Sequence, residues 1–258
     1  MARVKALVAV LALVVVGAAV AWADVATPRP QWTTVRMAAE EVNITVGEQR
    51  IQVDATFQMQ NTGAASTVRM GYPLGLFETE LRDFAVFVDG QAFSGVQTEE
   101  NPGGSGGQRM MPPGMGPGRG GGVGGGAPAG PAAEPCRFSG PYRQWKVFDV
   151  PFAAEARKTI RVTYWVAPAR LTDAERGSLL FYSYTLRTGA TWKGKIDQAT
   201  IRVRLDGVSP DRLVRVSPVG SQPAEGGRVL TWTMRDFKPT DDIEIAYRPA
   251  TPAVSTAR

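Results

Sequence analysis

The chain has 258 residues, of which 43% are hydrophobic, with a formal charge of +5, one cysteine and no histidine. The missing histidine excludes Ser-His-Asp and Cys-His nucleophile systems and histidine-ligated zinc, copper or non-haem iron. The lone Cys136 can close neither an internal disulfide nor a thiolate cluster, and so mild a charge gives no concentrated basic face for nucleic acid.

At the start of the chain, Arg3 and Lys5 precede an apolar run from Ala6 to Val20, and Ala21-Trp22-Ala23 puts small residues where a signal peptidase reads. That layout predicts a secretory signal over 1–23, cleaved after Ala23. The alternative for the same segment is a retained anchor, because the run approaches the length that spans a bilayer. With the signal removed, no other stretch is apolar enough to cross a membrane. The expected location is exported, periplasmic or extracellular and associated with the cell envelope.

From Val42 the texture is that of strands. Ile51 to Gln60 alternates apolar and polar residues without a break, as a half-buried strand does. Val42, Ile44 and Val46 show the same alternation, and Gly47-Glu48 supplies a turn between the two. Further strands are expected at Thr67–Tyr72 and Leu81–Val88, the second closed by Asp89-Gly90, a favoured hairpin pair. Residues 101–135 are a Gly/Pro/Met-rich insert with almost nothing to bury, expected to be disordered. Met110, Met111 and Met115 within it are soft ligands for copper(I) in principle. Methionine is a common filler in such tracts, and no metal or other cofactor is assigned.

Strands resume at Gln144–Val150, Thr159–Val166, Leu180–Arg187, Ala199–Leu205, Leu213–Val216, Arg228–Met234 and Ile243–Tyr247. The one helical candidate is Leu171–Arg176, with Thr172 as its cap. Short alternating strands at regular spacing point to an all-β fold, an antiparallel β-sandwich. A faint echo between Trp145–Tyr164 and Trp232–Tyr247 suggests that one hairpin recipe closes each of two sandwich units. These units are expected over 24–168, which contains the insert, and 169–249, with a flexible tail over 250–258.

The densest signature is Tyr182-x-Tyr184-x-x-Arg187-Thr188-Gly189-x-x-Trp192-Lys193-Gly194. Tyr, Trp and Arg dominate recognition hot spots, so Tyr184, Arg187, Trp192 and Lys193 are the candidate binding residues. The competing reading is that Trp192 packs in the sandwich and the glycines serve the turn. Arg202 and Arg204 alternate with apolar residues and share one face, which Arg212, Arg215 and Arg228 would widen. Asp236, Asp241, Asp242 and Glu244 gather around Pro239 without the spacing of a calcium loop or a recognisable catalytic pair.

Two resemblances follow from these motifs. Val42–Gln91, through Phe57-x-Met59-x-Asn61, Tyr72-Pro73-Leu74 and Phe84-x-Val86-x-Val88-Asp89-Gly90, resembles the first half of a vault/inter-alpha-trypsin (VIT-type) β-domain. A larger part of the chain resembles an uncharacterised family of exported bacterial β-proteins, a domain of unknown function with a T-G-x-x-W-x-G motif. The residues that carry it are Glu40-Glu41-Val42-x-Ile44, Tyr184-x-Leu186-x-Thr188-Gly189-x-x-Trp192-x-Gly194-x-Ile196 and Asp236-Phe237-x-Pro239-x-x-Asp242-Ile243. The resemblance implies a β fold and an envelope location, and no catalytic residue. The expectation is a non-catalytic exported protein that binds a protein or glycan partner at the bacterial envelope. Its alternatives are a carboxylate enzyme acting on envelope carbohydrate through Asp236 and Asp242, and a purely structural envelope component.

Overall fold

Strict alternation of apolar and polar side chains gives each strand one face to bury, and two layers of such strands close a core between them. The computed structural model describes residues 33–74, 80–100, 144–173 and 176–251. Among them are fifteen strands and no α-helix, and none of their helical segments is long and apolar enough to cross a membrane. The expected signal over 1–23, the insert over 101–135 and the tail beyond 251 lie outside the described residues.

One layer is an eight-stranded sheet. Its spatial order is β13 (Gln222–Ala224), β14 (Val229–Phe237), β11 (Ile196–Leu205), β1 (Val35–Val46), β2 (Ile51–Asn61), β8 (Arg157–Val166), β4 (Arg82–Val88) and β5 (Gln91–Phe93). Two smaller sheets face it. One runs β3 (Ser66–Leu74), β7 (Gln144–Phe152), β6 (Gln97–Glu100), and the other β12 (Leu213–Ser217), β15 (Ile243–Tyr247), β10 (Gly177–Tyr184), β9 (Ala169–Asp173). The fold is all-β and sandwich-like, with antiparallel pairing except between β1 and β11, which run parallel.

Inward residues of all three sheets form one core. Val42, Ile44, Phe57, Ile160, Val162, Ile201 and Val203 come from the large sheet, meeting Met70, Phe148 and Val150 on one side and Tyr182, Tyr184, Ile243 and Ile245 on the other. The joint between layers is marked by tyrosines. Tyr72 on β3 donates its hydroxyl to that of Tyr164 on β8 at 3.2 Å, and Tyr164 lies 3.1 Å from the hydroxyl of Tyr182 on β10.

Two expectations change. Leu171–Asp173 is strand, not the start of a helix: it belongs to β9, whose Leu171 and Thr172 pair with Leu179 and Ser178. The sheet ladder overrides the local Thr-x-x-Glu cue. Second, the echo Trp145–Tyr164 and Trp232–Tyr247 does not form hairpins. β7 and β8 lie in different sheets, as do β14 and β15, so each pair arches across the core. The boundary expected at 168–169 cuts no strand: the strands before it make the three-stranded sheet and one side of the large sheet, and those after it make the four-stranded sheet and the other side, the two blocks meeting at the β1–β11 ladder. β1 pairs with β11 from Ala39↔Gln198 to Val46↔Leu205, so the large sheet takes strands from both sides of it.

Candidate functional site

The T-G-x-x-W-x-G segment follows β10 and makes a short 3₁₀ turn over Arg187–Thr191. Tyr184 is 0% and Trp192 2% exposed, both within the core. Tyr184 donates its hydroxyl to Glu40 Oε1 at 3.2 Å. Beneath the turn sits Asp242, its side chain 2% exposed. Its Oδ1 accepts the backbone N–H groups of Leu186 and Arg187, each at 3.2 Å, and its Oδ2 accepts Arg187 Nε at 3.0 Å and Nη2 at 2.7 Å. Burial pushes the Asp242 carboxyl up to about 6, with the Arg187 guanidinium and the two N–H groups pulling against it. Lys193 is exposed; its backbone N–H reaches Val35 O at 3.2 Å and its ammonium reaches Thr62 Oγ1 at 2.8 Å. Gly194 has φ +73, a conformation that suits glycine.

Of the four candidate binding residues, the structure therefore offers only Arg187 and Lys193 to solvent, and the Arg187 guanidinium is clamped by Asp242. Tyr184 and Trp192 present no surface to a partner, because β10 and the turn press them against the large sheet. Asp236 is exposed at the end of β14 while Asp242 is buried with both oxygens occupied, so these two do not act as the free carboxylate pair that glycoside chemistry needs. Four of the five arginines expected to share a face are also matched, Arg212 by Glu48. Arg202 pairs with Glu41 at 2.6 Å and Arg204 with Glu225 at 2.9 Å on the large sheet, whereas Arg215 pairs with Glu244 at 2.7 Å in the four-stranded sheet.

A different site lies on the outer face of the large sheet, where β1, β2, β8 and β4 run side by side. It is a groove of about 400 Å³. Its floor is set by strand parity: Ile160, Val162 and Tyr164 point to the core, so Arg161, Thr163 and Trp165 point out. Asn43 and Thr45 from β1 and Gln52 and Asp54 from β2 line the same groove. Asp54 takes Arg161 in a two-pronged pair, with Nε at 2.8 Å and Nη2 at 2.6 Å.

Trp165 is the centre of this groove. The guanidinium carbons of Arg50 and Arg82 each lie 4.8 Å from the centroid of its ring, the geometry of cation–π contact. Its indole N–H donates to Asp83 Oδ2 at 2.7 Å. Asp83 can do this because β4 bulges there. Arg82 is opposite Trp165 and Ala85 opposite Thr163, so β4 spends one extra residue, and Asp83 takes a φ of +52. Bulges and positive φ in a non-glycine residue turn side chains to places a regular ladder cannot reach. Arg82 pairs with Glu80 at 3.3 Å. Arg50, in the loop between β1 and β2, meets no carboxylate among the described residues.

Sequence reading did not single out this group, since Arg50, Arg82, Asp83 and Trp165 are scattered over three segments. One signal was present: in Ile160-x-Val162-x-Tyr164-Trp165, the tryptophan falls on the polar parity of its strand. Among the described residues, no group of three or more acidic or cysteine side chains is placed to hold a metal ion.

No protein-family model and no curated protein matches the chain. Among solved structures, it is similar to a protein of Legionella pneumophila named as a candidate nutrient binding protein. The TM-score is 0.60 at 14% identity, covering 88% of this chain and 71% of that one. It also overlaps an M1 zinc metallopeptidase from Deinococcus radiodurans, at TM-score 0.41 and 13% identity, covering 83% of this chain. The chain spans only 42% of that peptidase's length. At such identities the likeness to the Legionella protein is one of fold, a two-layer β architecture extending over most of both chains.

Proposed function

We propose that this is a non-catalytic binding protein of the bacterial cell envelope, and that it holds its partner, a protein or a glycan, on the outer face of the large sheet at Trp165. The observation that carries this reading is the built surroundings of that ring: two guanidiniums against it, a bulged Asp83 fixing its N–H, and a groove beside it. A half-buried tryptophan flanked by arginines is the composition of a recognition hot spot. The similar Legionella protein, named for nutrient binding, supports a binding role for this architecture, and the signal-like start of the chain supports the envelope.

The test is cross-linking followed by affinity capture from the native envelope, with the wild-type chain beside Trp165→Ala. The wild type retains a partner that the variant loses, while both melt at the same temperature within a few degrees. A partner retained equally by a folded Trp165→Ala variant would remove the groove from consideration.

A further inference from the structure

Resting on that reading of the groove, we infer that its ligand is an acidic saccharide, with Arg50 taking the sugar carboxylate and the polar side chains around Trp165 taking hydroxyls. The charges beside the ring are engaged with one exception. Arg161 is closed on Asp54 through both prongs, Arg82 on Glu80, and Asp83 accepts the indole N–H. Arg50 lies against the indole yet meets no acceptor among the described residues. A guanidinium whose face is stacked keeps its N–H edge, and that edge matches a carboxylate in two parallel hydrogen bonds.

The rest of the groove favours a hydroxyl-rich ligand over a peptide. Asn43, Thr45, Gln52 and Thr163 offer amide and hydroxyl groups side by side on adjacent strands, matched to the alternating donors and acceptors of vicinal sugar hydroxyls. The strands beneath are β1, β2 and β8, each paired on both sides. No backbone edge is left on which a peptide could add as a further strand. A volume of about 400 Å³ suits a short saccharide and lies at the small end of ligand sites.

The experiment titrates the full chain, by calorimetry and tryptophan fluorescence at physiological salt, with a hexuronic acid oligosaccharide and with its methyl ester. The ester keeps every hydroxyl and removes the charge. The acid is expected to bind about tenfold more tightly than the ester, a difference of one charge-assisted contact, and Arg50→Gln is expected to erase the difference. Arg50 is exposed in a loop, so the variant's melting curve serves as the folding control. Equal binding of acid and ester by the wild type overturns the role of Arg50, as does an acid preference that survives Arg50→Gln. Binding of neither saccharide overturns the inference as a whole. If neither binds while Trp165→Ala still loses its captured partner, the groove stands as a binding face and only the saccharide falls. If Trp165→Ala keeps its partner, the reading beneath both falls.

Discussion

Glu40 is 2% exposed, with one hydrogen bond from Tyr184 to Oε1 and no partner for Oε2 among the described residues. A bulge explains its position. Val35 and Met37 face inward, the register then shifts between Met37 and Ala39, and Glu40, Val42, Ile44 and Val46 take over the inward face. Burial pushes the carboxyl up to about 8, with the Tyr184 hydroxyl pulling the other way. The folded protein therefore holds a proton that the unfolded chain has released, over the range from about 4.5 to about 8. Stability is fully present below that range and falls as pH rises through it. The chain has no histidine, and the raised Asp242, titrating near 6, is largely ionised by pH 7, so the interval from pH 7 to 8 isolates Glu40. Urea unfolding across that interval should show stability declining by up to about 1.4 kcal/mol per pH unit, the limit for one proton. Glu40→Gln, which keeps an acceptor for Tyr184, should flatten the slope and be the more stable protein at pH 8. An unchanged slope in the variant would show that another group titrates there.

The β10 turn and strand β8 each carry a tryptophan, and they show what a sequence can and cannot disclose about an element. Periodicity was enough to place the principal strands: Ile243–Tyr247 has the expected bounds, and Asp89 and Gly90 turn β4 into β5 with φ of 51° and 80°. Short edge strands such as Gln91–Phe93, Gln97–Glu100 and Gln222–Ala224 carry too few residues for alternation to register, and the β9 strand was hidden behind a helix-cap cue. Composition drew attention to Trp192, whose neighbours in sequence are aromatic and basic. The neighbours of Trp165 are instead assembled by strand pairing, from Arg50, Arg82 and Asp83, which no local window contains. Truncating the two rings should separate their roles. Trp192→Ala, cut from a site 2% exposed, should lower stability by about 3–5 kcal/mol. The fraction that remains folded should bind the partner as the wild type does. Trp165→Ala should cost about 1–2 kcal/mol of stability, the scale of two exposed cation–π contacts and one hydrogen bond, and should abolish binding. Parallel denaturation and binding curves decide it, and a reversal of the two patterns would return the site to the T-G-x-x-W-x-G turn.

At the scale of the whole molecule, the position of β1 decides how the chain folds. It lies between β2, its antiparallel neighbour in sequence, and β11, its parallel partner from beyond the expected boundary. A parallel pair cannot be joined by a tight turn, so this ladder forms only when distant parts of the chain meet. Cutting there would leave β1 with one side unpaired, a long exposed edge of the kind that invites aggregation. It would also divide the core, because Tyr184, Trp192, Ile201, Val203, Ile243 and Ile245 pack in the same cluster as Val42, Phe57 and Ile160. Each part would keep strands of both layers with one of them cut short: residues 33–168 would lack the four-stranded sheet and β11, β14 and β13 of the large one, and residues 169–251 would lack the three-stranded sheet and the large sheet from β1 to β5. The groove at Trp165 draws all its residues from the first part, yet the inner face of the same strands packs in the shared core. We therefore expect 33–168 and 169–251, produced separately, to show no cooperative thermal transition, while the full chain melts in one. The isolated first part should also fail to bind the partner that the full chain captures. A single sharp transition in 33–168 alone, with binding intact, would establish two independent sandwich units and reduce the β1–β11 ladder to a docking contact between them.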